Sequence, residues 1–196
     1  ARAYRPRAAL KTPVAFALLR LAGLSTGEGA VLDPFCGSGT ILAEAAALNP
    51  RLRLYGSDLF PEAVAGAQAN LAQLALTARV QIGQVDARAL SQHYPEAHFR
   101  AIVTNPPYGV TLGRRLDFRR FYYRFLTEAA RVLTPGGLLV MTAWRHGDLV
   151  RARRAHGGFA QRHVRVVETG YLYPRIFVLQ RRPGPTPAAR ADGEDA

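Results

Sequence analysis

The chain has 196 residues, 48% of them hydrophobic, enough for one ordinary domain with its own core, and no apolar run is long enough to cross a bilayer. Its single cysteine, Cys36, excludes an internal disulfide and any cysteine-built zinc knuckle, and suits a reducing, cytoplasmic setting. The formal net charge of +12 points to a polyanionic partner such as nucleic acid; Lys11 is the only lysine among 26 basic residues, an arginine bias that a GC-rich genome would give any protein.

The opening "ARAYRPRAALKTP" lacks the apolar stretch of a secretory signal, and a start at Ala1 rather than methionine reads as a domain taken from a longer chain. "TPVAFALLRLAGL" (12–24) predicts a helix with Thr12 as N-cap, Pro13 in the first helical position and Gly23 past the end. "AVLD" (30–33) is a short buried strand, followed by an apolar helix over 39–48. A strand over 52–58 and a helix over 61–74, led by Pro61, come next, then an alternating strand over 79–84. "FRAIVTN" (99–105) is a fourth strand. Residues 118–133 form an amphipathic helix that "TPGG" ends, and 138–144 are a fifth strand. After a helical stretch near 146–156, "QRHVRVVETG" and "YLYPRIFVLQ" read as a hairpin turning around Gly170. The last residues, 183–196, carry prolines and an acidic end and read as a disordered tail behind a single domain over 1–182. Strands alternating with helices, then a hairpin, predict an α/β, Rossmann-like fold, an open doubly wound sheet.

The chemistry concentrates at strand ends. "VLDPFCGSGT" (31–40) lies at the first strand-to-helix turn, where Gly37 and Gly39 let the backbone approach a ligand and a helix start offers free N–H groups. A phosphate-binding P-loop needs Gly-Lys-Ser/Thr, which is absent, and the dinucleotide fingerprint needs a third glycine where Leu42 stands. Asp33 beside that loop would repel a pyrophosphate but attract an ammonium group. Asp58 ends the second strand, where a carboxylate can take both ribose hydroxyls. Asp86 follows the third strand and could accept from an adenine amino group. Each has a plain alternative, as a tight turn, a helix cap or a turn aspartate. Together they outline an adenosine joined to an amino acid, which is S-adenosylmethionine.

"NPPY" (105–108) closes the fourth strand. An exocyclic amine on a base is a poor nucleophile, because its lone pair is delocalised into the ring. The Asn105 side-chain oxygen and the Pro106 carbonyl can accept from such an amine and free that lone pair, with Pro107 holding the turn and Tyr108 offering a face for stacking. Cytosine-C5 chemistry needs a cysteine positioned at the base, commonly in the fourth-strand motif, where this chain has Tyr108, so Cys36 reads as a packed loop residue. The five histidines share no ligand spacing, so no metal is expected. Arg114, Arg115, Arg119, Arg120 and Arg124, which span eleven residues just after the motif, are candidate RNA-phosphate contacts, with a solvated helix face as the alternative. Arg120, Arg124 and Arg131 share one helix face, and Arg145, Arg151, Arg153 and Arg154 extend the basic character.

"DPFCGSGT" with "NPPY" resembles the class I amino-methyltransferases, and the flanking "YRPRAALKTPVAFALLRLAG" and "ETGYLYPRIFVLQR" are similar to the catalytic domain of THUMP-containing tRNA guanine-N2 methyltransferases. The resemblance covers residues 5 to 181. It implies a mostly parallel seven-stranded sheet with a C-terminal antiparallel hairpin, S-adenosyl-L-methionine as cofactor, tRNA as substrate, and an RNA-binding THUMP region ahead of the domain. It also implies a monomer with no membrane association. Carried over to this chain, Asp33, Pro34, Phe35, Gly37, Ser38, Gly39 and Thr40 would line the methionine end of the donor, with Thr12 closing over it. Asp58 and Leu59 would take the ribose, Asp86 and Ala87 the adenine edge, and Asn105 to Tyr108 the target amine. The same motif also serves rRNA guanine-N2, DNA adenine-N6 or cytosine-N4, and protein glutamine-N5 methylation, and a non-catalytic RNA-binding module would share the charge.

Overall fold

The computed structural model describes residues 10–109, 116–168 and 173–184. Helix α1 (Thr12–Leu21) leads into β1 (Gly29–Asp33), and α2 (Thr40–Leu48), β2 (Leu52–Asp58), α3 (Pro61–Gln73) and β3 (Val80–Gln84) follow. The second half runs β4 (Phe99–Thr104), α4 (Phe118–Val132), β5 (Leu133–Ala143), α5 (His146–His156), β6 (Phe159–Val166) and β7 (Arg175–Arg181). The sheet has seven strands in the order β3-β2-β1-β4-β5-β7-β6. The first five are parallel, while β7 pairs antiparallel with both β5 and β6. The expected α/β doubly wound architecture with a terminal antiparallel pair is therefore present.

Strand alternation explains why both sheet faces are covered. On one face Val31, Leu54, Ala101, Val103, Val140 and Val178 pack with Leu18 of α1, Leu42 of α2 and Leu71 of α3. On the other, Leu32, Ile102, Leu139, Met141 and Phe177 meet Tyr122 and Phe125 of α4 and Leu149 of α5. Such two-faced burial is what makes the strands read as near-continuous apolar runs. At Gly56 in β2 the packing leaves no room for a side chain, since an added Cβ would lie 2.5 Å from Leu42 Cδ1 and 2.7 Å from Ile82 Cδ1.

Several local expectations change. Lys11, not Thr12, is the α1 N-cap, with no side-chain cap bond; Thr12 already lies in the helix, and Pro13 falls in its first turn. Gly23, at φ +67°, does end the helix as expected, with Leu24 N–H donating to Leu19 O at 3.2 Å. Asp117 caps α4 by accepting from Arg120 N–H at 3.1 Å, a cap not foreseen. "TPGG" does not separate α4 from β5: the strand starts at Leu133, which pairs with Phe99, and these residues bulge out before pairing resumes at Ala101 and Leu138. The terminal strands lie nearer the N-terminus at β6 and further along at β7 than expected, and the expected turn at Gly170 falls outside the described residues, as do 185–196 of the tail. No helix among the described residues is long and apolar enough to cross a membrane.

The chain leaves β1 toward β2 on one side and β4 toward β5 on the other. That reversal of direction opens a crevice at the carboxyl ends of β1 and β4, the usual ligand position in such sheets.

Candidate active site

The crevice is walled by the two motifs. β1 ends in Asp33 and β4 is followed by Asn105, and the strands pair directly, Leu32 beside Ile102. Asp33 is buried, 2% exposed, and the groups acting on its carboxyl, Thr104, Phe35 N–H and Asp58, include no cation. Its Oδ1 accepts from the Thr104 hydroxyl at 2.6 Å and from Phe35 N–H at 3.2 Å. Burial pushes its carboxyl up to about 7 despite those two bonds, with nearby Asp58 adding to the shift.

The loop after β1 turns through Gly37 (φ +52°) and Gly39 (φ +78°), conformations that side chains resist. Gly39 is the N-cap of α2, one residue earlier than the helix proper. Ser38 and Thr40 hydroxyls lie 3.1 Å apart, and Asn70 of α3 donates to Ser38 O at 3.0 Å, which fixes the loop from below. Pro34 and Cys36 are buried. Burial first, then Asp33 and Asp58, push the Cys36 thiol well above its ordinary range, so it is a packed residue and not a nucleophile. Phe35 stands against α4, its ring 5.3 Å from that of Phe125 and 5.8 Å from that of Phe121. The Phe35 ring thus anchors the loop while its backbone serves Asp33.

Asp58 binds the glycine loop back to β2. Its Oδ2 accepts from Gly37 N–H at 3.0 Å and its Oδ1 from Phe60 N–H at 3.2 Å, leaving acceptor capacity on each oxygen. Burial raises its carboxyl, with the backbone donors pulling the other way. Leu59 and Phe60 beside it are each 45% exposed, an apolar lip at the crevice end of β2. Leu59 was expected there; Phe60 was not. Asp86 is differently placed: Arg88 grips it, with Nε 3.0 Å from both carboxylate oxygens and Nη2 2.6 Å from Oδ2. Burial alone would raise this carboxyl, but the Arg88 bonds outweigh it and hold it lowered. Any amine reaching the Asp86 carboxylate must compete with that guanidinium, whereas Ala87 beside it is buried. Thr12 is exposed in the first turn of α1.

At the second motif, Asn105 Oδ1 accepts from the Tyr108 hydroxyl at 2.8 Å and from the hydroxyl of Thr142 on β5. Pro106 is buried, and Pro107 and Tyr108 are half-buried. Neither Thr104 nor Thr142 was singled out from sequence. The available signal was a lone hydroxyl at the end of each of two apolar strands, "AIVTN" and "VMTAW". Of the arginines, Arg114 and Arg115 lie outside the described residues. Arg119, Arg120 and Arg124 are exposed on α4, and Arg124 is close enough to Asp86 to help hold its carboxyl down. Arg131 does not join them: it is paired with Glu128 at 2.7 Å, in a network that also ties down Ser91. Arg145 lies over the Phe118 ring, 5.6 Å from its centroid.

Comparison with known proteins decides the family. Residues 1–175 match the RMKL-like, methyltransferase domain model. The chain belongs to that family. It is 43% identical to the tRNA (guanine(6)-N2)-methyltransferase of Thermus thermophilus over 181 residues, 90% of this chain and 52% of that protein. It is 30% identical to the enzyme of the same description from Archaeoglobus fulgidus, over 91% of this chain and 50% of that one. The crystal structure of TrmN from Thermus thermophilus superposes with a TM-score of 0.77 at 39% identity, covering 89% of this chain and 50% of that one. This member of the family thus spans about half the length of these relatives. The [4+2]-cyclase SpnF shares the fold, at a TM-score of 0.72 and 19% identity.

Proposed function

We propose that this domain transfers a methyl group from S-adenosylmethionine to the exocyclic N2 amine of a guanosine in tRNA. The observation that carries the reading is the juxtaposition across one crevice of an unpaired, buried Asp33 and the Asn105–Tyr108 motif, on directly paired strands. The residues fit the donor. Asp33, with Pro34, Phe35, Gly37, Ser38, Gly39 and Thr40 forming the loop around it, would hold the methionine end through its ammonium group. Asp58 has acceptor capacity left for ribose hydroxyls, Leu59 offers an apolar lip, and Ala87 with Asp86 would border the adenine. Thr12 would close over the methionine carboxylate.

When bound, the donor supplies an electrophilic methyl whose bond to the sulfonium sulfur breaks as the amine nitrogen bonds to it. This chain's part is to prepare the amine. Asn105 Oδ1 and the Pro106 carbonyl accept its two protons, which weakens conjugation into the ring and directs the lone pair outward. Pro107 keeps the turn rigid, and the Tyr108 ring gives the flipped base a stacking face. The surplus proton of the methylated amine leaves to water along the same acceptors.

The tRNA substrate is supported by the names of these two relatives, and exposed Arg119, Arg120 and Arg124, with Arg114 and Arg115, would meet phosphates. Recognition of a folded RNA would be shared with an N-terminal THUMP-type domain of a longer chain, acting as a monomer in the cytoplasm. The test is transfer of labelled methyl to tRNA, rRNA, DNA and protein, followed by nucleoside analysis. N2-methylguanosine from tRNA is the expected product; label confined to adenine, cytosine or glutamine overturns the reading.

A further inference from the structure

The target amine needs an oxygen, not an NH2, from Asn105, and an amide side chain rotates easily between the two presentations. We propose that Thr142 is the positioning residue that decides this, its hydroxyl holding the Asn105 amide with Oδ1 toward the crevice; the inference rests on the amine-activating reading of Asn105 given above. Thr142 lies on β5, one residue beyond Met141, the partner of Thr104 in the β4–β5 ladder, and so sits level with Asn105. It is fully buried, between Met141 and Ala143, which are equally buried and apolar. A hydroxyl there costs stability unless it is hydrogen-bonded, and valine would fill the same space without that cost. Its bond is to Asn105 Oδ1.

In the structure both hydroxyls beside the amide, those of Thr142 and Tyr108, are donors to its oxygen. A carbonyl oxygen has two lone pairs and accepts from both hydroxyls at once, the arrangement found here. Both lone pairs are therefore used, and an incoming amine must displace one donor. Thr142 is held in a central strand, paired with Ile176 of β7, whereas Tyr108 is half-buried on the segment after β4. The Tyr108 hydroxyl is the one that yields, swinging aside as its ring takes up the base. Thr142 stays, keeping the remaining lone pair aimed at the amine.

Single-turnover methylation by the full chain tests this with Thr142→Val, which keeps shape and loses the hydroxyl, and Thr142→Ser, which keeps the hydroxyl. Thr142→Val should lower the rate at saturating tRNA by about tenfold, the usual worth of one buried hydrogen bond, with donor affinity and melting temperature unchanged. Thr142→Ser should restore most of it. In an Asn105→Ala background Thr142→Val should cost nothing more, because the group it positions is gone. A full rate in Thr142→Val beside an impaired Asn105→Ala overturns the role of Thr142 alone. So does an undiminished second loss in the double variant, or a loss that tracks donor binding. A near-normal Asn105→Ala overturns the amide's role, and this inference with it.

Discussion

Thr104 donates its hydroxyl to Asp33 Oδ1 at 2.6 Å, across the seam where β4 meets β1. Strand β4 therefore braces Asp33 with its last residue and is followed directly by Asn105, so one strand end serves both motifs. That bond does not overcome the cost of burying a 2% exposed carboxyl, which is pushed up to about 7.

Because Asp33 attracts an ammonium group only when ionised, S-adenosylmethionine affinity should rise with pH through about 7 and level off above it. Binding the cation favours the carboxylate, so proton release should accompany binding below that pH. The stability sign is opposite. A folded-state value raised above that of the unfolded chain stabilises the empty domain at low pH, and the contribution is lost as pH rises through about 7. Calorimetry of donor binding in buffers of different ionisation enthalpy reads the proton release, and Asp33→Asn should abolish it along with the pH dependence of affinity. A pH-independent affinity in the wild type refutes the assignment.

Asp58→Ala should weaken donor binding by about 1–3 kcal/mol through lost charge-assisted bonds to the ribose. The same change frees Gly37 and Phe60 N–H groups, so melting temperature must be measured beside affinity. Unchanged affinity would remove Asp58 from the ribose site.

Asn105→Ala should leave donor affinity within a few fold and cut the methyl-transfer rate on the order of a hundredfold, as loss of one transition-state acceptor or donor commonly does. Tyr108→Ala should be the more harmful change at its position and Tyr108→Phe the milder, since the ring carries the stacking and its hydroxyl only occupies the Asn105 oxygen in the empty site. Rapid-quench single turnovers separate these steps from RNA binding. Equal damage from Tyr108→Phe and Tyr108→Ala would place the function in the hydroxyl.

Residues 1–196 alone should bind the donor normally and methylate tRNA poorly, because a handful of arginine–phosphate contacts gives only roughly 10⁻⁴ to 10⁻⁶ M affinity. Extraction of a stacked base costs a few kcal/mol more, which a tethered RNA-binding domain offsets by raising effective concentration. Replacing Arg119 or Arg124 by Ala should lower the slope of log affinity against log salt by about one each if both meet phosphates. Filter binding over a salt series, and a comparison with a longer chain carrying the RNA-binding domain, check both statements. Equal methylation rates at sub-micromolar tRNA would show that this domain recognises its substrate unaided.

Much of this was written in local pattern. Gly37 and Gly39 announced a turn that only they tolerate, Pro61 and Gly23 marked helix limits, and the doubled proline after Asn105 set the end of β4, because each rests on the backbone limits of a few adjacent residues. The "TPGG" segment misled for the same reason: its turn chemistry is real, but Leu133 is already drawn into the ladder by Phe99, and the turn becomes a bulge. What only the tertiary structure decided is who holds the site. Asp33 is 71 residues from Thr104, Gly37 is 21 from Asp58, and Asn105 is 37 from Thr142. Arg88 next door turned Asp86 from an open acceptor into half of an ion pair, and Glu128 took Arg131 out of the basic face. Sequence spacing picks out the candidate groups by their joint placement at several strand ends, since each one alone is an ordinary turn residue. Their orientation and charge depend on hydrogen-bond partners and burial, which the pairing of β1 with β4 and β4 with β5 creates.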